Sequence, residues 1–424
     1  MPRRDLTRFA DLPHHSFGSV AEFLAAPVPD GILTIDYHGS PLDLLVQRRP
    51  GADTTLVLFH SALSPNMQTL PVFSGLGVTR GLDVNVVCVA DPSLELDDEL
   101  NIGWFSGNSR QPLQQDLPGV LRHVVEGLAA EHLAFFGTSA GGFAALLYAA
   151  HFPGSLAVPV NPQIILRDFS DVDVLSYGRS AFGAPDLAAA RTALTERISG
   201  DLRETYAGRG DVTIGYVQNL RDGRHFWRHL SHFMLAVQDT ADLLVLADDW
   251  GMGHVPPPKS VNRTILETVA GARGDWAAAL GRLGFRGGLT FEDLKEARAA
   301  LPPTEAAAPA SAAPGPTDAP PAATDRAATA PAPAGAATAA APAAPPVATA
   351  GSGAFPGHPR RAASRCAWRI GRRIASLLPE RIRPRAAAVA RAAARQGRAA
   401  ARSARACLRR CAASVRASAG RRTP

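Results

Sequence analysis

The chain has 424 residues, of which 46% are hydrophobic, 19% charged and only 6% aromatic. That length allows two or three average domains, although α/β folds of about 250–300 residues often form a single unit. Four cysteines are too few for a scaffold built on disulfides, and no run of about 18 strongly apolar residues predicts a membrane span.

The net charge of +6 at pH 7 is unevenly distributed along the chain. Residues 358–424 hold 19 arginines and one acidic residue, whereas residues 1–302 carry a net charge of −10. We therefore expect an acidic body joined to a basic tail. The first residues contain no apolar leader segment, so a cytoplasmic location is expected, with peripheral attachment to a membrane surface through the tail left open.

Apolar runs alternate with helical patterns through the body of the chain. The later runs are continuous leucine and β-branched stretches, as parallel strands buried on both faces require. The predicted strands are 32–37, 42–47, 55–60, 85–90, 132–137, 156–160, 212–218 and 243–247. The predicted helices are 113–129, 141–151, 187–199, 224–238 and 259–269. This alternation predicts an α/β three-layer sandwich with a mostly parallel central sheet, preceded by an antiparallel hairpin.

The composition changes abruptly near residue 302. Residues 303–357 are almost entirely Ala, Pro, Thr and Gly, and such a segment cannot bury enough apolar surface to offset its conformational entropy. We therefore predict a body over 1–302 with its core at about 30–271, a disordered linker over 303–357, and a basic tail over 358–424 that is helical or disordered.

The most informative motif is Gly137-Thr-Ser139-Ala-Gly141, which follows an apolar strand and leads directly into an alanine-rich helix. A serine at a tight strand-to-helix turn has a strained backbone, and the residues two before and two after it crowd together. Only small residues fit there. The turn exposes the hydroxyl and directs the helix N-terminus toward it, where backbone amides can stabilise an oxyanion.

The region from about residue 30 to 271 resembles the α/β-hydrolase fold, and residues 137–141 resemble its nucleophile elbow. The resemblance implies a chain order of serine, then an acid after the seventh strand, then a histidine after the eighth. Asp222 follows the strand predicted at 212–218, and His254 lies in a glycine-rich loop after the strand predicted at 243–247. Ser139, Asp222 and His254 are therefore the candidate catalytic triad.

The acid has rivals in the sequence. Asp248 and Asp249 lie a few residues before His254, and Asn219 could serve only as a neutral orienting group. For the oxyanion hole, the resemblance implies the amide of Ala140 and a second amide from the loop after the third strand. That loop has Ser61 where the family has glycine, so Ser61 and Ala62 both stay candidates, with Ala62 preferred.

Three further segments could contribute to function. His225, His229 and His232 share one face of a predicted helix, but no cysteine or spaced carboxylate completes a metal site there, so packing is favoured and no metal or cofactor is expected. His225 could also help to position the acid loop. Residues 104–108 could form a pocket wall or a simple loop anchor, and residues 167–183 could form a lid that controls substrate choice.

The basic tail has its own pattern. Six arginines recur three or four residues apart, which in a helix forms one charged stripe over an alanine body: Arg391, Arg395, Arg398, Arg402, Arg405 and Arg409. Such a stripe could contact an anionic membrane surface or nucleic acid. The alternative is an unfolded appendage without a partner.

Together these features predict a carboxylesterase-like serine hydrolase that cleaves a small-molecule or glycan-linked ester. One alternative is an acyltransferase that moves an acyl group to a glycan or alcohol, because residues 137–142 with the later Gln218, Asn219 and Asp222 also resemble hydrolase-like proteins associated with bacterial surface glycans. The other is a non-catalytic scaffold whose functional part is a polyanion-binding tail.

Overall fold

A computed structural model describes residues 4–64, 69–237 and 242–303 of the chain. The predicted tail and all but the first residue of the predicted linker lie outside these described residues. No helix in the described part of the chain is both long and apolar enough to cross a membrane.

Ten strands of the described residues form one sheet. They are β1 (His14–Phe17), β2 (Gly31–Tyr37), β3 (Ser40–Gln47), β4 (Thr54–Phe59), β5 (Asn85–Val89), β6 (His132–Thr138), β7 (Leu156–Val160), β8 (Thr213–Asn219), β9 (Asp242–Asp248) and β10 (Arg286–Gly287). Their order across the sheet is β1-β2-β3-β5-β4-β6-β7-β8-β9-β10. The segment from β5 to β9 is parallel throughout, and β2 and β3 form the predicted antiparallel hairpin.

Helices cover both faces of this sheet. They are α1 (Val20–Ala25), α2 (Leu76–Thr79), α3 (Leu113–Leu128), α4 (Ala140–Ala149), α5 (Asp171–Phe182), α6 (Leu187–Glu196), α7 (Leu202–Tyr206), a composite helix α8 over 223–237 with a π-helical middle at Phe226–Leu230, α9 (Lys259–Ala270), α10 (Trp276–Arg282) and α11 (Phe291–Ala299). One apolar core packs α3, α4 and α8 against the sheet, and a second packs α9 and α10 against the opposite face.

The fold class predicted from the sequence is confirmed. The antiparallel hairpin of β2 and β3 leads into a parallel sheet in the order β5-β4-β6-β7-β8-β9, which is the arrangement of the α/β-hydrolase fold. All eight predicted strands form, with ends within two residues of the prediction. The sequence missed the two short edge strands β1 and β10 and several short helices.

Parallel strands place all their carboxyl ends at the same edge of the sheet. In this chain the ends of β4, β6, β7, β8 and β9 therefore share one edge, and each leads into a loop with polar side chains. The candidate site lies at this edge.

Candidate active site

Ser139 stands at the turn between β6 and α4. Its backbone has φ 55° and ψ −115°, a conformation that non-glycine residues rarely adopt. A Cβ at Gly137 would lie 2.1 Å from the carbonyl oxygen of Gly141, and a Cβ at Gly141 would lie 2.3 Å from that of Phe59. Because these neighbours are backbone atoms that cannot move aside, both positions require glycine, as the motif predicted.

The Ser139 hydroxyl has a partner that the sequence did not reveal. Gln163, three residues after the end of β7, donates from Nε2 to Ser139 Oγ at 3.0 Å. The other end of the same amide, Oε1, accepts from the indole Nε1 of Trp104 at 3.2 Å. The described contacts of Ser139 include no direct hydrogen bond to a histidine.

Asp222 is buried at the end of β8, where it caps the N-terminus of α8. Its Oδ2 lies 2.5 Å from Nδ1 of His254. Nδ1 of His225 lies 2.9 Å from the same oxygen and 3.0 Å from Oδ1. Burial by itself raises the pKa of the Asp222 carboxyl, but the hydrogen bonds from His225 and His254 outweigh it and hold the pKa well below its usual value. The group is therefore a carboxylate that both histidines contact.

His254 lies in the loop between β9 and α9, and its side chain is 40% exposed. Asn219 holds this loop, because its Nδ2 faces the carbonyl oxygens of Gly251, Gly253 and Val255 at 2.9, 3.0 and 3.2 Å. Asn161 supports the same arrangement: its Nδ2 donates to Val255 at 3.0 Å and its Oδ1 accepts from the Asn219 amide at 2.7 Å. Asn161 and Asn219, at the carboxyl ends of β7 and β8, thus hold the loop that contains His254 in place.

The rival acids have other partners. Asp249 pairs with Arg221 at 2.9 Å, and exposed Asp248 accepts from the Asp249 amide at 2.8 Å. Asn219, considered from the sequence as a neutral orienting group, donates from its side-chain amide to backbone carbonyls of the histidine loop and not to the His254 ring. Among the three candidate acids, the carboxylate that contacts His254 in the described contacts is that of Asp222.

His225 is a second histidine at the same carboxylate. Its ring stacks on that of His254, with centroids 4.0 Å apart and planes 15° apart. Its Nδ1 donates to Asp222, and its Nε2 lies 2.8 Å from Nε2 of Gln163, which can only donate. Burial lowers the pKa of His225 despite the opposing effect of Asp222, so the ring is neutral and Nε2 is the acceptor.

These groups are poorly arranged for a metal ion. Ligand atoms of Asp222, His225 and His254 lie within 4.8 Å of one another, but the Nδ1 atoms of both rings are already hydrogen-bonded to the Asp222 carboxylate, so they do not offer free lone pairs to a metal. The histidines considered from the sequence do not converge either. His229 is buried and its Nδ1 accepts from the Ile164 amide at 3.2 Å, whereas exposed His232 contacts Ser231.

The candidate oxyanion donors lie beside the turn. None of the described backbone hydrogen bonds has the amide of Ser61, Ala62 or Ala140 as its donor. The short approach of Gly141 to Phe59 brings the end of β4, and hence the loop that follows it, against the start of α4. The loop after β4 and the start of α4, which hold the candidate donors, therefore lie next to each other at the Ser139 turn.

The segment 104–108 begins with a buried anchor, whereas Ser106 and Asn108 further along it line a cavity. Trp104 and Phe105 are fully buried and both have positive φ, 52° and 54°. Asp91 holds this conformation by accepting from the Phe105 amide at 2.7 Å. The Trp104 ring packs against Tyr177 of α5 at 5.5 Å between centroids, so the segment ties Gln163 to the predicted lid region.

The predicted lid, 167–183, contains the helix α5. Phe169, just before it, lies 5.9 Å from the His225 ring and 5.9 Å from the Trp104 ring between centroids. The region therefore covers the buried side of the histidine pair, and a role in substrate choice stays a prediction. A cavity of about 940 Å³ lies elsewhere, and its lining includes the polar side chains of Ser106, Gln114 and Ser199 but not those of Ser139, Asp222 or His254.

Comparison with known proteins gives fold-level likeness alone. No protein-family model and no curated protein matches the chain. The capsule O-acetyltransferase of Neisseria meningitidis serogroup A is 14% identical, with a TM-score of 0.39 over 57% of this chain and 95% of that one. An S-formylglutathione hydrolase from Agrobacterium tumefaciens is 14% identical, with a TM-score of 0.40 over 58% and 94%. MPT51 of Mycobacterium tuberculosis is 13% identical, with a TM-score of 0.38 over 60% and 99%.

The chain thus has the α/β-hydrolase fold. The strand order and the strained turn at Ser139 define this fold.

Proposed function

We propose that the protein is a serine hydrolase that cleaves an ester through an acyl-enzyme. Ser139 is the nucleophile, His254 the general base and Asp222 the carboxylate that orients it. The observation that carries the proposal is the pairing of Asp222 Oδ2 with His254 Nδ1 at 2.5 Å, at the same sheet edge as the strained serine turn. This pairing fixes the proton of His254 on Nδ1 and leaves Nε2 as the basic nitrogen.

In the first half-reaction, Ser139 Oγ attacks the carbonyl carbon of the ester while its proton passes to His254 Nε2. The Asp222 carboxylate stabilises the imidazolium that forms. The negative oxygen of the tetrahedral intermediate accepts hydrogen bonds from the amides of Ala140 and Ala62. The intermediate then collapses, the bond to the alkoxy group breaks, and the imidazolium gives its proton to the departing alcohol.

In the second half-reaction, His254 takes a proton from water as the water oxygen attacks the acyl carbon. Collapse of the second intermediate releases the carboxylic acid and returns the proton to Ser139. An alcohol or a glycan hydroxyl in place of water would give acyl transfer by the same steps.

The test is hydrolysis of a panel of p-nitrophenyl esters of increasing acyl length by wild type, Ser139→Ala and Ser109→Ala. Ser109 is an exposed serine away from the proposed triad and serves as the matched control. We expect Ser139→Ala to lose at least about 10³-fold in kcat and Ser109→Ala to match wild type. Equal rates for Ser139→Ala and wild type would exclude the proposal. Repeating the assay with glycerol and separating the products distinguishes hydrolysis, which yields free acid, from transfer, which yields acylated glycerol.

A further inference from the structure

We propose that Gln163 is a further catalytic residue of the ester cleavage proposed above, on which this inference depends. Its side-chain amide donates to the nucleophile oxygen, and Trp104 and His225 are positioning residues that fix the direction of that donation. Gln163 is fully buried and contacts the reacting atom itself, Ser139 Oγ.

The direction of each hydrogen bond follows from its neighbours. An indole N–H can only donate, so the atom of Gln163 that faces Trp104 is the carbonyl oxygen Oε1. The amide nitrogen must then face both Ser139 Oγ, at 3.0 Å, and His225 Nε2, at 2.8 Å. His225 can accept because its single proton is on Nδ1, where Asp222 holds it. Both amide protons of Gln163 are therefore used.

The opposite orientation of the amide is unfavourable. It would set two donors against each other at Trp104 and would leave a carbonyl oxygen facing His225 Nε2. The indole cannot turn away, because Trp104 is fully buried, lies at positive φ and is packed against Phe169 and Tyr177. Gln163 is thus a donor in a fixed direction.

A fixed donor at Oγ has two chemical consequences. It occupies one lone pair, so the hydroxyl proton must be donated elsewhere, and His254 Nε2 is the base proposed to receive it. It also strengthens as Oγ gains negative charge, because charge-assisted hydrogen bonds are shorter and stronger than neutral ones. That charge grows when Ser139 attacks and again when Oγ leaves the acyl group, so the gain belongs to both transition states and raises kcat rather than lowering KM.

The same geometry assigns different roles to the two histidines. His225 Nε2 is occupied by the Gln163 amide, so His225 cannot take the serine proton while that bond exists. It acts through Gln163 and Asp222 as a positioning residue, whereas His254 keeps Nε2 for the reaction.

The test compares Gln163→Met and Gln163→Glu with wild type in p-nitrophenyl ester hydrolysis across pH 5 to 9. Methionine has a similar length and cannot donate, so we expect kcat to fall about 10- to 100-fold with KM within about twofold. An ionised glutamate accepts only and draws the serine proton away from His254. We therefore expect Gln163→Glu to be less active than Gln163→Met at high pH and to regain activity as the pH falls and the carboxyl becomes a donor.

The matched control is Gln114→Met, a glutamine that contacts Ser106 and Ser199 rather than Ser139. Melting temperatures are measured for all variants, and if Gln163→Met does not fold, the pH profile of Gln163→Glu decides. Wild-type kcat in Gln163→Met, or a wild-type pH profile in Gln163→Glu, would overturn the inference. If either of these results is found while Ser139→Ala is inactive, the role of Gln163 is wrong but the proposed ester cleavage stands. If Ser139→Ala keeps wild-type activity, the proposed ester cleavage itself is wrong.

Discussion

At the scale of single residues, the central feature is one carboxylate shared by two histidines. Asp222 contacts exposed His254 through Oδ2, and both of its oxygens lie within hydrogen-bond distance of Nδ1 of buried His225. Because the hydrogen bonds hold the pKa of Asp222 well below its usual value, the carboxylate stays ionised and keeps both rings protonated on Nδ1. One side chain thereby orients the proposed base and, through His225, the amide at the nucleophile.

Buried His229 makes a testable contribution to the pH dependence of stability. Burial lowers its pKa well below the ordinary value, and its Nε2 has no partner in the described structure. Below about pH 6.5 the unfolded chain binds a proton there that the folded chain does not. Stability is therefore lost as the pH falls, by up to about 1.4 kcal/mol per pH unit for this one group.

We expect His229→Gln to make the fall in unfolding free energy between pH 7 and pH 5 shallower, because glutamine has no such proton to gain. Urea unfolding at several pH values measures the slope. His232→Gln, at an exposed position of the same helix, is the matched control. An unchanged slope in His229→Gln would show that His229 does not contribute to the acid sensitivity.

At the scale of elements, the site depends on how closely β4, β6 and α4 approach one another. The backbone of Gly141 lies so near Phe59 that a Cβ has no room, and the same holds between Gly137 and Gly141. These contacts fix the turn and the loop after β4 as one unit, so the nucleophile and the proposed oxyanion donors move together.

Gly137→Ala tests this unit. Because the added methyl group would collide with backbone atoms, we expect the free energy of unfolding to fall by about 2–4 kcal/mol and ester hydrolysis to be lost. Gly119→Ala is the matched control: this helical glycine of α3 has open space around it, so the change should stabilise the fold by about 0.5–1 kcal/mol. Chemical unfolding measures both, and a neutral effect of Gly137→Ala would contradict the close approach.

The long elements were predictable because their cause is local. Continuous apolar runs indicate buried parallel strands, and β4 to β9 all formed near the predicted positions. The edge strands β1 and β10 were missed because four and two residues are too few for a period, and they form by pairing with a neighbour. The helix α5 was missed because its segment mixes aromatic and acidic residues without a regular apolar face.

The site was predictable only in part. The order of serine, acid and histidine along the chain pointed to Ser139, Asp222 and His254, and the structure brings the last two into contact. It did not point to Gln163, or to the hydrogen bond between Gln163 and Trp104, 59 residues apart, because no motif marks a glutamine after a strand. The position of Gln163 just after the carboxyl end of β7 was the one available signal. The roles of Asn161 and Asn219 likewise emerge only from contacts between distant loops.

At the scale of the whole molecule, charge is divided between the body and the tail. Residues 1–302 are acidic, and the arginine-rich residues 358–424 carry the excess positive charge. We predict that the tail binds polyanions and has no part in ester cleavage. The tail lies outside the described residues, so this prediction rests on the sequence.

Replacing four tail arginines by glutamine tests the division: Arg391, Arg395, Arg398 and Arg402. We expect this variant to elute from heparin resin at a lower salt concentration than wild type, because each lost cation removes a salt-sensitive contact. Its kcat/KM on p-nitrophenyl esters should equal that of wild type. The matched control carries the same four changes at exposed arginines of the body, Arg80, Arg110, Arg179 and Arg282. Equal elution of the two variants would contradict a binding role for the tail.

The most direct measurement of the central claim is labelling by a fluorophosphonate, which reacts with an activated serine and stays attached to it. We expect wild type to be labelled and peptide mass spectrometry to locate the adduct on Ser139. Ser139→Ala should not be labelled, and His254→Ala should be labelled at least about 100-fold more slowly. An adduct on another serine, or equal labelling of wild type and Ser139→Ala, would contradict the account.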